Sequence, residues 1–134
     1  ENTAQQMANC AWAFAKLGVR NEPLLATIAD DASNRIGEFS PQNLMCLFWS
    51  CAKLHFLHPR LMAAAAKSAL LQLHHFSPQH LSIVAWACAT LGFREPQLLN
   101  GIASECMKCM RRFSPQNLAN LAWAFATLDV RHNK

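Results

Sequence analysis

The sequence predicts an all-α fold, a right-handed α-solenoid of helix-turn-helix repeats with a 37-residue period and about seven helices. Three observations predict it. Tryptophans stand at 12, 49, 86 and 123 and leucines at 17, 54, 91 and 128, each 37 residues apart with no insertion. The phrase Phe-Ser-Pro-Gln opens at Phe39, Phe76 and Phe113. Alternating patterns and β-branched runs are missing, so no strand is predicted. A fixed period of this size is the signature of a repeat architecture. The chain divides into repeats 1–37, 38–74 and 75–111 and a half repeat 112–134, together one solenoid over 1–134.

Each repeat opens with a first helix, A. Ser40-Pro41, Ser77-Pro78 and Ser114-Pro115 pair an N-cap serine with proline at the first helical position. Thr3 takes the cap in the first copy, where Ala4 replaces proline. The helix runs to Leu17, Leu54, Leu91 or Leu128, and Gly18 and Gly92 follow as stop residues. His55 and Asp129 fill that place less comfortably. A short turn leads to Pro23, Pro59 or Pro96, which start a second helix, B. Its apolar stripe is Leu24, Leu25, Ile28, Ala29, Ala32 and Ile36 in the first repeat, with equivalents ending at Leu73 and Met110. One such hairpin cannot bury both apolar faces, and stacking its neighbours does.

Composition narrows the function. The net charge of +4 permits an anionic partner without demanding one. No uninterrupted run of 18 apolar residues exists, so no membrane-spanning helix is expected. The chain has no initiator methionine or signal-like start, and reads as a piece of a longer array. Cys51 and Cys88 align with Phe14 and Phe125, Cys10 with Leu47, Val84 and Leu121, and Cys106 with Ala32 and Ala69, so the cysteines read as small hydrophobes in a reducing compartment, without a disulfide framework. Cys106-Met-Lys-Cys109 has ligand-like spacing but no second pair, so no metal is expected. His74-His75, Asp30-Asp31 and Arg111-Arg112 read as variable, solvated positions. Neither a phosphate-binding glycine loop nor a converging catalytic set is recognisable. No enzyme, cofactor or small-molecule substrate is predicted.

A helical wheel of the second A helix, at about 100° per residue, puts Leu44, Leu47, Cys51 and Leu54 on a core side facing helix B. Gln42, Asn43, Cys46, Ser50 and Lys53 fall on an open arc. Gln is constant along that arc at Gln5, Gln42, Gln79 and Gln116. Two positions vary: Gln6, Asn43, His80, Asn117, and Asn9, Cys46, Ile83, Asn120. Amides donate and accept, so such a ladder matches the way helical repeats read single-stranded RNA, one nucleotide per repeat. The competing reading is a solvated helix face with a helix-start preference for Gln. Lys16 and Lys53, with Arg20, Arg94 and Arg131 in the turns, make a candidate basic strip for a phosphate backbone. Otherwise these cations simply complement helix C-termini. The tryptophans lie at the edge of the arc. Packing between repeats is their preferred role, and base stacking the alternative.

The phrase from Phe113 to Leu128, with Gly-x-Arg after the equivalent helices at 18–20 and 92–94, resembles the octotricopeptide and heptatricopeptide repeat families and their FAST-kinase-like and RAP-domain relatives. The likeness runs over the whole chain and is strongest at 39–54, 76–94 and 113–131. It implies sequence-specific binding of an organellar transcript, in mitochondrion or chloroplast, with the reading residues at the variable pair of helix A. It implies roles in RNA processing, stability or translation. A protein-interaction scaffold of the same shape is the alternative function, and a purely structural spacer a third.

Overall fold

The computed structural model describes residues 3–132, with side-chain surroundings for 3–129. Seven α-helices account for most of it: α1 (Ala4–Leu17), α2 (Glu22–Asn34), α3 (Pro41–Lys53), α4 (Pro59–Gln72), α5 (Pro78–Leu91), α6 (Pro96–Lys108) and α7 (Pro115–His132). No strand occurs among the described residues. The all-α solenoid expected from the 37-residue period is the fold observed.

All four A helices start the same way. The side chains of Thr3, Ser40, Ser77 and Ser114 accept the backbone N–H three residues on, at 3.0–3.1 Å. The side chains of Gln6, Asn43, His80 and Asn117 accept the cap residue's own N–H in return, at 2.9–3.3 Å. Two of the orphan N–H groups at each helix start are satisfied by this reciprocal box. The side chains of Asn21, His58 and Glu95 cap the B helices beside Pro23, Pro59 and Pro96.

The first three A helices end at left-handed residues, whereas α7 runs on through Asp129 to His132 instead of stopping at Leu128. Gly18 and Gly92 have φ of 70° and 72°, and their N–H groups return to the last helical turn. His55 takes the same turn with φ of 51°, the one non-glycine residue with positive φ among those described. The B helices stop earlier than the apolar stripe suggests. Ile36, Leu73 and Met110 each begin a separate three-residue 3-10 turn, Ile36–Glu38, Leu73–His75 and Met110–Arg112. These turns keep the 37-residue spacing. They aim Phe39, Phe76 and Phe113 into the core, where all three are buried.

Helices α1, α3, α5 and α7 form one layer and α2, α4 and α6 the other. The most extensive contacts join successive A helices, not the two helices of a hairpin. That is the main departure from the wheel. An interior A helix has three buried sides. Leu44 and Cys51 belong to the core side facing the B layer. Asn43, Leu47, Ser50 and Leu54 line the flank toward the preceding repeat, and all are buried. The opposite flank, toward the following repeat, is built in α5 from Pro78, Ser82, Ala85 and Ala89, again all buried.

The end helices confirm which flank is which. Ala13 is exposed in α1, which has no repeat before it, whereas Ser50, Ala87 and Ala124 at the same position are buried. Ala122 is exposed in α7, which has none after it, whereas Ala11, Phe48 and Ala85 are buried. Small residues on both flanks let helices approach closely, and closely packed helices stand about 8–10 Å apart. The buried serines Ser50 and Ser82 satisfy their hydroxyls on the carbonyls of Cys46 and Pro78, one turn back.

Candidate functional site

With three sides of each interior A helix covered, one stripe of about 100° is left. Its four positions per repeat are Gln5, Asn9, Trp12, Lys16; Gln42, Cys46, Trp49, Lys53; Gln79, Ile83, Trp86, Thr90; and Gln116, Asn120, Trp123, Thr127. All sixteen side chains are exposed or half-buried. The i, i+4, i+7, i+11 spacing makes the stripe run straight along the helix, and the 37-residue period sets four such stripes side by side.

The open arc drawn from the sequence was too wide, and one of its two variable positions leaves it. Asn43 is buried, and His80 and Asn117 are half-buried, between consecutive A helices. Their first task is the capping box. Asn43 and His80 have a second, reaching the constant glutamine of the preceding repeat. Asn43 Nδ2 donates to Gln5 Oε1 at 2.9 Å, and His80 Nε2 donates to Gln42 Oε1 at 2.9 Å. Gln6 is exposed because no repeat precedes it. A wheel of a single helix cannot show this, since Asn43 and Ser50 lie about 80–100° from the stripe's centre and are covered only by a neighbouring helix.

His80 makes its tautomer legible. Nδ1 accepts the Ser77 N–H at 3.3 Å, so the ring proton belongs on Nε2, facing Gln42. Burial pushes its pKa below the ordinary 6.5, which suits the neutral ring this network needs.

The glutamines are engaged along the stripe as well. Gln5 Nε2 donates to Asn9 Oδ1 at 3.0 Å, Gln116 Nε2 to Asn120 Oδ1 at 3.0 Å, and Gln42 Nε2 to Cys46 Sγ at 3.8 Å. Ile83 offers Gln79 no acceptor. The second variable position, Asn9, Cys46, Ile83 and Asn120, therefore stays on the open face, and the Nδ2 donors of Asn9 and Asn120 are uncommitted among the described residues.

The tryptophans pack across a repeat boundary in part and stay in contact with solvent. Trp12 and Trp49 meet across the repeat boundary, with ring centroids 6.2 Å apart and planes tilted by 30°. They also keep a face or edge in solvent: Trp12 is 44% and Trp123 47% exposed, and Trp49 and Trp86 are half-buried. Lys16 Nζ lies 5.4 Å from the Trp12 ring centroid and Lys53 Nζ 5.8 Å from that of Trp49. The sequence reading left these four indoles out of the candidate set. Their shared register with Gln5 and Lys16 was the signal that could have included them.

The basic strip is only partly as drawn. Lys16 and Lys53 sit on the stripe. Arg20 instead pairs with Glu22 at 2.8 Å and donates to the His55 carbonyl of the next turn at 3.2 Å, tying two repeats together. Arg94 is exposed at the equivalent turn. Position 131 falls within α7, but the Arg131 side chain lies outside the described residues.

Charge is sorted between the layers. Residues 3–17, 40–54, 77–91 and 114–128 contain no carboxylate. The B layer and its connections hold Asp30, Asp31, Glu38 and Glu105, paired there with His58, Arg60, Arg35 and Lys108. The thiols of Cys51 and Cys88 are pushed up to about 12 by burial, so both are inert packing groups. No cluster of three or more metal-ligating side chains occurs among the described residues.

A family model described as "RESC6: RNA-editing substrate-binding complex 6 protein" matches residues 1–134. The chain belongs to that family. No curated protein matches the sequence. The match corrects the resemblance to octotricopeptide, heptatricopeptide and FAST-kinase-like repeats. The letters that carried it are a cap serine, a first-turn proline, a stop glycine and small flank residues. Any close-packed helix-turn-helix array needs these, so they report the architecture and not the family. The chloroplast setting rested on that resemblance and goes with it. Membership in the matched family links the chain to RNA processing in general.

Proposed function

We propose that this chain is a single-stranded RNA-binding module of an RNA-editing substrate-binding assembly, and that it binds RNA along the open stripe of its A helices. The observation that carries the reading is the stripe itself: four parallel rows, each with a Gln and a Trp and with Asn, Cys or Ile and Lys or Thr beside them, and no carboxylate among them, in a chain of the RESC6 family. Phosphates are drawn by Lys16 and Lys53, with Arg94 at the next turn, while amides and indoles meet the bases. Contact at about one nucleotide per repeat follows from one stripe per repeat. Asn9, Cys46, Ile83 and Asn120 are the positions where base preference resides.

The capping ladder of Asn43, His80 and Asn117 sets the register of the rows, with Gln5 and Gln42 held by Asn43 and His80 and Gln79 the group Asn117 can hold. The chain acts as one array over its repeats, as a binding protein without catalysis of its own, in a mitochondrial setting. The deciding experiment is titration of the full chain with single-stranded and duplex RNA over a salt series. Salt-sensitive binding with preference for the single strand is expected. Equal affinity for duplex, or no binding, contradicts the reading.

A second reading, a protein-interaction scaffold, is favoured by one feature on the other side of the molecule. Ala63, Ala66, Leu70, Leu71, Phe93 and Leu98, with Lys67, Glu95 and Gln97 among them, line a mostly apolar groove of about 440 Å³ between α4 and the third repeat, with Leu71 73% exposed. The two surfaces belong to different layers, so RNA on one and protein on the other are compatible.

A further inference from the structure

All four tryptophans of the chain lie on the open stripe, one per repeat, and the chain has no tyrosine. A large aromatic ring left partly in water in every copy is costly to keep. Packing covers only part of these rings: Trp12 and Trp123, in the end helices, are about half exposed, and Trp49 and Trp86 are half-buried. Two of the indoles carry an ammonium over the ring, at 5.4 and 5.8 Å, with no carboxylate anywhere on the stripe to claim it. Along the stripe, each indole is flanked on one side by an amide, thiol or methyl group (Asn9, Cys46, Ile83, Asn120) and on the other by Lys or Thr (Lys16, Lys53, Thr90, Thr127).

We infer that the four indoles form a stacking platform for unpaired bases, one per repeat, with Lys16 and Lys53 turning from the indole to the phosphate of the base stacked there. The inference rests on the RNA-binding reading and adds the chemistry of recognition. A base offers a π-face to every indole whatever its identity, so the platform selects single strands and tolerates sequence. Preference enters only through the neighbouring position, amide in the first and last rows, thiol or aliphatic in the middle two. A lysine already poised over an indole is within side-chain reach of the phosphate of a base lying on that ring. The platform therefore has two zones. Rows one and two combine stacking with charge, and rows three and four, where Thr90 and Thr127 replace lysine, stack without it. Bound strands are accordingly held more tightly and with more salt sensitivity at the first two rows. An acidic or apolar protein segment is the rival occupant, and its case is an outcome of the test.

Because the only tryptophans are the platform, their emission reports it without background. The full chain is titrated with a short oligoadenylate and with an abasic strand of equal length, following intrinsic fluorescence and an independent measure of Kd. Oligoadenylate is expected to quench the emission, and the abasic strand to bind more weakly and quench little. Trp12→Ala and Trp123→Ala, at exposed positions, should each raise the oligoadenylate Kd by about 5- to 150-fold, the range for losing one stacked base. Neither should affect the abasic strand, and Trp12→Phe should recover most of the loss. Lys16→Ala should weaken both strands. If oligoadenylate binds with salt sensitivity but leaves emission and the Trp→Ala affinities unchanged, the platform is overturned and RNA binding stands. If neither strand binds at any salt, the RNA-binding reading falls with the platform, and the stripe is left to a protein.

Discussion

The flanks of each A helix and the stripe between them share the same 13 to 18 residues, yet they answer to different demands. Flank positions hold Ala, Ser, Leu and Val, are buried in interior repeats, and meet a neighbouring helix whose matching flank repeats every 37 residues. Stripe positions hold Gln, Asn, Cys, Ile, Trp, Lys and Thr, stay in contact with solvent, and vary from copy to copy in two of their four places. The repeat is thus a packing rule with one free edge. What repeats most faithfully is mostly what the stack needs. The exceptions are the constant Gln and Trp of the stripe, which pack across the boundary and face solvent at once.

The largest effect that separates the two regions is expected from Leu47→Ala. Leu47 is 2% exposed between α1 and α3, and truncation there costs about 2–5 kcal/mol in a urea unfolding measurement. RNA affinity of the folded fraction should be unchanged. Lys16→Ala and Lys53→Ala should do the reverse, moving stability by no more than about 0.5 kcal/mol while weakening RNA binding. A Leu47 variant that keeps its stability, or a lysine variant that loses it, would break the division.

Asn43→Ala tests the position the sequence placed on the wrong side. It removes the Ser40 N–H acceptor and the bond to Gln5, a loss of about 1–2 kcal/mol. Base preference measured with short homopolymers should not change. A shift in preference with no loss of stability would return Asn43 to the reading set.

His55→Gly is expected to stabilise the chain by about 1 kcal/mol, by relieving a left-handed residue that glycine adopts freely. Its check is an upward shift in thermal midpoint with the Arg20 bond to the turn carbonyl retained.

The smallest effect concerns pH. His80 has a folded pKa below 6.5 because of burial. The unfolded chain therefore takes up a proton first as pH falls, and the stability tied to neutral His80 is present above about 6.5 and lost as pH drops through the lowered folded value. Protonation at Nδ1 also removes the Ser77 N–H acceptor. His80→Asn, which copies Asn43 and Asn117, should abolish that component in urea melts taken from pH 7.5 to pH 5. An unchanged slope would remove His80 as its source.

Much of this was legible from residue letters. The period, four cap residues, the first-turn prolines and the stop glycines each follow from local chemistry acting within a few residues, and all seven helices came from them. The discomfort at His55 was legible for the same reason, since a stop position wants a residue that tolerates positive φ. The flanks were not, because they are defined by a helix 37 residues away. A wheel assigns one buried side to one helix, whereas an A helix in a stack has three. Asn43, Ser50 and Ala87 looked open only in isolation. The smallness of Ala85, Ala87 and Ala89, and the apolar run Leu47, Val84, Leu121, already said that more than one side was covered. Trp12 and Trp49 misled in the opposite sense, since a ring that packs across a boundary can still present a face.

The most direct test of the central claim, that the open stripe binds single-stranded RNA, is the salt dependence of RNA affinity in the wild type and in Lys16→Ala/Lys53→Ala. The account predicts that the slope of log K against log salt shrinks by about 1.4 in the double variant, roughly 0.7 for each lysine–phosphate pair removed, with the melting curve unmoved. An unchanged slope in a chain that still binds RNA would contradict it, and would move the binding surface off the A-helix stripe.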